Sequence, residues 1–200
     1  MGQPFGTMPA RFDPGFQPST KVAIVFPGAG YSPAHPLLEF GRQSLLQHGW
    51  TVQQVWWDRP NDERDDDLAT WVCDQARAAV GQETGASRLL LLAKSLGTLA
   101  SPVAAEHRLD AIWLTPLFDD PQSIAAIAQN SRGGARQLLV GGSADPSWNA
   151  DGARDLGCEV LDLPGVNHFG VVPDDVIRSV EVHLQVTCAV EAFLTRLDEV

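Results

Sequence analysis

The sequence predicts an α/β domain, with a mostly parallel sheet of about six short strands, helices on both faces and no second domain. Three observations carry this reading. Short apolar runs that stop at Pro or Gly recur along the chain, as strands buried on both faces do. Segments with apolar residues at helical spacing stand between them, and such alternation calls for crossover connections and a parallel sheet. A length of 200 residues suffices for one sheet covered on both sides, burying about 70% of the surface that the unfolded chain exposes.

Pro4, Pro9, Pro14 and Pro18 lie among glycines in residues 1–20, which read as a tail or an irregular strap ahead of a domain spanning 21–200. The run Lys-Val-Ala-Ile-Val-Phe at 21–26 is a buried strand stopped by Pro27-Gly28. Residues 36–48 carry Leu37, Phe40, Leu45 and Leu46 at helical spacing, and Gly49 closes that helix. A strand follows over 51–57. The acidic cluster 62–67 then leads into a helix marked by Leu68, Trp71, Val72, Ala76 and Val80, where carboxylates suit the amino terminus. It lacks the glycine and closing glutamate of a calcium loop. Residues 88–93 form the next strand and 96–107 a helix; 110–115 is a strand ended by Pro116, and 123–129 a helix. Strands over 137–140 and 159–163 stop at Gly141-Gly142 and Pro164-Gly165, and an amphipathic helix over 173–197, with room for one break, closes the chain. Ligand chemistry in such a sheet collects at the carboxyl ends of its strands.

Composition narrows the function classes. The 44% hydrophobic and 20% charged content is that of a folded globular domain. A net charge of −11 opposes binding to nucleic-acid phosphates or anionic lipid, so neither partner is expected. Cys73, Cys158 and Cys188 are odd in number and widely spaced, which fits buried free thiols rather than a disulfide framework or a zinc site. Residues 1–20 hold no apolar core of signal-peptide length, and the cleanest apolar run, 89–93, is strand-sized; the cytoplasm is the expected compartment.

The chemistry-bearing residues fall at strand ends. Ala93-Lys94-Ser95-Leu96-Gly97 stands where a strand hands over to a helix, with small residues two before and two after the serine, as a sharp turn presenting a hydroxyl requires. By itself Ser95 could merely cap that helix. Asp145, in Gly141-Gly-Ser-Ala-Asp145-Pro146, follows the next-to-last strand; it could cap a helix too, and Asp119 and Asp120 are rival acids. His168 follows the last strand in a loop bounded by Gly165 and Gly170, whereas His35, His48, His107 and His183 fall in or beside helices. The order Ser95, Asp145, His168 is that of a nucleophile, an orienting acid and a general base spread over one sheet edge.

On these residues the chain resembles the α/β-hydrolase superfamily over roughly 21–197, especially its small dienelactone-hydrolase-like and carboxylesterase-like members. The resemblance implies a single-domain α/β-hydrolase fold with minimal or no cap, and oxyanion-hole N–H groups from Ala29, in the Pro27-Gly28-Ala29-Gly30-Tyr31 loop, and from Leu96. The chain departs from the family pattern at Pro27, where the family has histidine, and at Ala93, where it has glycine; neither change removes a catalytic group. Gly28, Gly30, Tyr31, Phe118, Trp148 and Phe169 are expected to shape a shallow pocket, and the other tryptophans to pack in the core. Lys94 is expected to face solvent or pair with an acid. The segment 118–135 has room for about one helix, too little for an elaborate lid.

Gly28-Ala29-Gly30 opens a G-x-G pattern, but Pro33 takes the third glycine's place and Asp58 is the only acid near the second strand's end, so nucleotide binding is disfavoured. No cofactor or metal is expected. The expected activity is hydrolysis of a small carboxylic ester or thioester through an acyl-enzyme on Ser95. Acyl transfer to another acceptor by the same triad, and a non-catalytic protein binding a ligand or partner in the same cleft, remain the alternatives.

Overall fold

Strands β1 (Ala10–Phe12), β2 (Lys21–Phe26), β3 (Thr51–Gln54), β4 (Arg88–Lys94), β5 (Asp110–Leu114), β6 (Gln137–Gly142) and β7 (Glu159–Leu163) form one sheet in a computed structural model that describes residues 10–57 and 65–199. Their order is β1-β3-β2-β4-β5-β6-β7, and every pair is parallel except β1 beside β3. The expected α/β architecture is therefore present, with one strand more than the pattern announced.

The period-two alternation of the strands divides the core. Ile24, Phe26, Leu91, Ala93, Ala111, Trp113 and Leu139 face one way, beneath α2 (Asp65–Gln82), α3 (Ser101–His107) and α4 (Pro121–Arg132). Ala23, Val25, Leu90, Leu92, Ile112, Leu114, Leu138 and Val140 face the other way, beneath α1 (Pro36–Gln47) and α6 (Val176–Asp198). A short α5 (Ala150–Arg154) packs beside β7. The central strands lose water on both faces, which explains their nearly unbroken apolar runs.

Five expectations need correction. The segment 1–20 is not merely a tail or strap where described: β1 completes the sheet edge through the pairs Ala10↔Gln54 and Phe12↔Val52. The Arg42 guanidinium lies 4.2 Å from the Phe12 ring centroid and Arg11 pairs with Glu83. Strand β3 stops at Gln54; beyond it the Val55 N–H still reaches the Val25 carbonyl at 2.9 Å, and the Trp57 ring then packs against Phe26 and Trp71, so the stretch passes from ladder into core. The helix expected over 96–107 is a 3-10 turn, Ser95–Ala100, followed by α3. Pro102 has no N–H to offer the Thr98 carbonyl, which takes the Ser101 N–H instead. Helix α6 is unbroken and starts only at Val176, where the Asp175 carboxylate accepts from the Arg178 N–H. Of the cysteines only Cys73 is buried; Cys158 is half-buried and Cys188 exposed.

Asp58 and residues 62–64 of the acidic cluster lie outside the described residues. No helix among the described residues is long and apolar enough to cross a membrane.

Candidate active site

Strand β4 delivers its chain to Ser95 with a φ of 50°, a left-handed conformation that non-glycine residues adopt only when surrounding structure enforces it. Two contacts enforce it here. The Thr98 hydroxyl donates to the Ser95 carbonyl at 2.6 Å. Gly97 lies so close to β2 that a Cβ on it would stand 2.6 Å from the Phe26 carbonyl oxygen. The following turn packs flush against the neighbouring strand only because residue 97 has no side chain.

The acid and histidine loops are stitched together next to this elbow. Ser143 and Ala144 donate their N–H groups to the carbonyls of Leu163 and Val166, each at 3.0 Å. The Asn167 side chain accepts from the N–H groups of Phe169 and Val171 at 2.9 and 3.3 Å, folding the histidine loop over itself. The Asp145 side chain has no exposed surface, and the Ser147 N–H holds its Oδ1 at 2.9 Å.

These supports place Asp145 Oδ2 2.7 Å from His168 Nδ1, and His168 Nε2 2.7 Å from Ser95 Oγ. The arrangement fits a tautomer in which Nδ1–H donates to the carboxylate and Nε2 accepts from the serine hydroxyl. Ser95, Asp145 and His168, chosen from sequence, are thus brought into one hydrogen-bonded chain.

Solved structures of the same architecture extend over nearly the whole chain. Est1E from Butyrivibrio proteoclasticus, with ferulic acid bound, superposes with a TM-score of 0.71 at 14% identity, covering 94% of each chain. An α/β serine hydrolase without a lid from Xanthomonas campestris gives 0.66 at 18% identity, over 94% of this chain and 88% of that one. An esterase from Pyrococcus furiosus gives 0.65 at 13% identity, over 96% and 93%. The chain has the α/β-hydrolase fold. No family model matches the sequence, and no curated protein matches it in sequence either.

Within this α/β-hydrolase fold the rival acids have other roles. Asp119 is exposed, and Asp120 caps α4, its Oδ2 accepting from the Ser123 N–H at 2.8 Å. Asp120→Ala is expected to lower stability by about 1 kcal/mol through loss of that cap, with Asp120→Asn nearly neutral. Urea melts of the two variants would check this. The segment 118–135 holds α4, which packs on α3.

The two proposed oxyanion donors flank the elbow differently. Ala29 is exposed in the tight loop closed by the Gly28 N–H on the Tyr31 carbonyl at 3.0 Å, and among the described residues its own N–H donates to nothing. Leu96 is the second residue of the 3-10 turn, whose first N–H groups have no partner inside the helix. Gly30 is exposed in the same loop as Ala29, and Phe169 is 57% exposed beside His168, their rings 6.5 Å apart.

The remaining pocket residues fall into two groups: Gly28 and Tyr31 beside the elbow, where a Cβ on Gly28 would meet Tyr31 Cβ at 3.2 Å and Ser95 Cβ at 3.4 Å, and Phe118 with Trp148 in a cleft of their own. Tyr31 is buried, its hydroxyl accepting from the Leu37 N–H at 3.1 Å. Phe118 and Trp148 meet edge to face at 5.2 Å, and the indole N–H is held by Asp162 Oδ1 at 3.0 Å. They line a cleft of about 480 Å³ with Asp119, Pro146, Ser147 and Asn149. Leu68, Leu99 and Leu117, none of which the sequence marks as a site residue, border a cavity of about 220 Å³ together with Leu96. Their position on one helix face and two turns gave no signal of convergence.

Lys94 overturns its expectation outright. Its side chain is buried, with 1% of the residue exposed, and Nζ donates to the His168 carbonyl at 3.0 Å. Nζ also lies 4.6 Å from the Tyr31 ring centroid and 5.9 Å from that of Phe169. Burial pushes its pKa down to about 8, against the opposing pull of the Asp145 carboxylate. Among the described residues no cluster of His, Cys, Asp or Glu is suited to a metal.

Proposed function

We propose that this chain is a serine hydrolase that cleaves a small carboxylic ester or thioester through an acyl-enzyme on Ser95. The observation that carries the proposal is the unbroken chain Ser95 Oγ, His168 Nε2, His168 Nδ1, Asp145 Oδ2, with 2.7 Å at each hydrogen bond. A serine hydroxyl facing the unprotonated nitrogen of a carboxylate-oriented imidazole is an activated nucleophile.

As Ser95 Oγ attacks the acyl carbonyl, His168 Nε2 takes the hydroxyl proton and the carbonyl electron pair moves onto oxygen. Ala29 and Leu96 N–H groups receive that oxyanion, and the amino terminus of the turn adds a favourable dipole. The tetrahedral adduct collapses as the imidazolium gives its proton to the departing alcohol or thiol. Water, deprotonated by His168, then attacks the acyl-enzyme and releases the acid and Ser95. The cavity of about 220 Å³ beside Leu96 suits a small acyl group. The ferulic acid held by Est1E is a carboxylic acid, the product class of this reaction.

Incubation with a fluorophosphonate probe, followed by peptide mass mapping, is expected to place a single adduct on Ser95, together with turnover of p-nitrophenyl acetate. A folded protein that neither labels nor turns over would overturn the reading in favour of a binding role for the cleft.

A further inference from the structure

We infer that Lys94 is a positioning residue, whose buried ammonium clamps the histidine loop onto the nucleophile elbow and so holds His168 against Ser95. The inference rests on the serine-hydrolase reading above and assigns a role that the triad alone leaves open.

Strand register puts Lys94 where a clamp is useful. Leu90, Leu92 and Lys94 share one face of β4, the face whose apolar cluster includes Tyr31, Leu37, Leu163 and Val166. The side chain therefore runs beneath the first loop and the histidine loop together. Its stem passes the first loop, where a Cβ on Gly28 would lie 3.6 Å from Lys94 Cδ. Its head reaches the His168 carbonyl at 3.0 Å and stands over the Tyr31 ring. One side chain thus touches both loops that flank Ser95, the residue next to it in sequence.

A nearly fully buried ammonium opposes folding unless it is well partnered. Here it has one carbonyl, one aromatic face and a nearby carboxylate, a set that holds the charge without making it cheap. A methionine of similar shape would pack in its place more favourably, so stability does not explain the lysine.

The charged and titratable groups facing Lys94 are Asp145 from the acid loop, Tyr31 from the first loop and His168 from the histidine loop; its register partner on β5, Leu114, is apolar. Burial raises the Tyr31 phenol above its ordinary value, so it stays neutral through the range in which Lys94 titrates. With its pKa lowered to about 8, Lys94 is charged below that pH and neutral above it. The clamp is strong on the acid side and weakens on the alkaline side.

The test is the second-order rate of fluorophosphonate labelling between pH 6 and 10, with p-nitrophenyl acetate kinetics and melting temperature at pH 7, for wild type and Lys94→Met. On the alkaline side the wild-type rate is expected to fall through a step near pH 8. Lys94→Met is expected to be about tenfold slower in kcat at pH 7 with KM little changed, to lack the alkaline step, and to melt at a higher temperature. A more stable yet slower enzyme separates positioning from a structural role. An active wild type without the step near pH 8, or a folded Lys94→Met with wild-type kcat and pH profile, would overturn the clamp and leave the hydrolase reading intact. An inert wild type would overturn both. If Lys94→Met does not fold, the wild-type profile decides alone.

Discussion

Replacing either Ser95 or His168 by alanine is expected to lower kcat for a small ester on the order of 10⁴- to 10⁶-fold, up to about 8 kcal/mol of transition-state stabilisation. The two effects should not add, because both residues serve one proton transfer. Asp145→Asn is expected to cost on the order of 10⁴-fold while leaving the fold intact. The asparagine side chain could still hydrogen-bond to His168 Nδ1, but its amide would donate where the carboxylate accepts. That would favour protonation at Nε2 and leave no base facing Ser95 Oγ, 2.7 Å away. Asp145 has no exposed side-chain surface and its Oδ1 is tied to the Ser147 N–H, so the asparagine has little freedom to turn away. Single-turnover kinetics of the three variants, with circular dichroism to confirm folding, would check this. If Asp145→Asn retained wild-type kcat, the carboxylate would have no orienting role.

The hydrogen-bonded set Ser95, His168 and Asp145 was legible because each member follows a strand that its own sequence announces. β4 and β6 carry the apolar runs 89–93 and 138–140, β7 is a shorter stretch closed by Pro164-Gly165, and a parallel sheet sends the ends of all three to one edge. β1 was not legible. Three residues carry no periodicity, and their pairing is decided by the edge that β3 leaves open, information that resides some forty residues away in the chain. The strand at Thr51–Gln54 was legible but its end was not, because Gln53 and Gln54 are buried polar residues while the apolar residues 55–57 lie beyond the strand. The Lys94 error has a different origin. The strand runs one residue further than expected, to Lys94, on the face of Leu90 and Leu92, and whether a side chain at a strand's last position is buried depends on which loops fold over it. Those loops, with Tyr31 and His168, come from either end of the domain. Phe118 and Trp148 border strand ends, which is what loop position shows; that the indole N–H is held by Asp162, a partner on β7, it does not reveal.

Gly142→Ala is expected to be damaging beyond its size, destabilising the domain by roughly 2 to 4 kcal/mol and lowering kcat about 10²-fold in the fraction that folds. Gly142 ends β6 in register with Leu163, and a Cβ there would stand 2.2 Å from the Val166 carbonyl oxygen and 2.6 Å from Val166 Cβ. The obstructing atoms belong to backbone and a β-branched side chain at its root, so no rotamer change makes room. Val166 must move by about an ångström or more before ordinary van der Waals contact is restored. That same carbonyl accepts from the Ala144 N–H at 3.0 Å, the residue before Asp145, and Val166 itself lies two residues before His168. Separating these backbones therefore lengthens the Asp145 to His168 contact and moves the imbalance on to Ser95. Thermal melts would read the first effect and kcat at saturating ester the second, with KM expected to change less than kcat. A variant that lost stability but kept full kcat would mean that the histidine loop is positioned by Lys94 and Asn167 independently of its seat on β6.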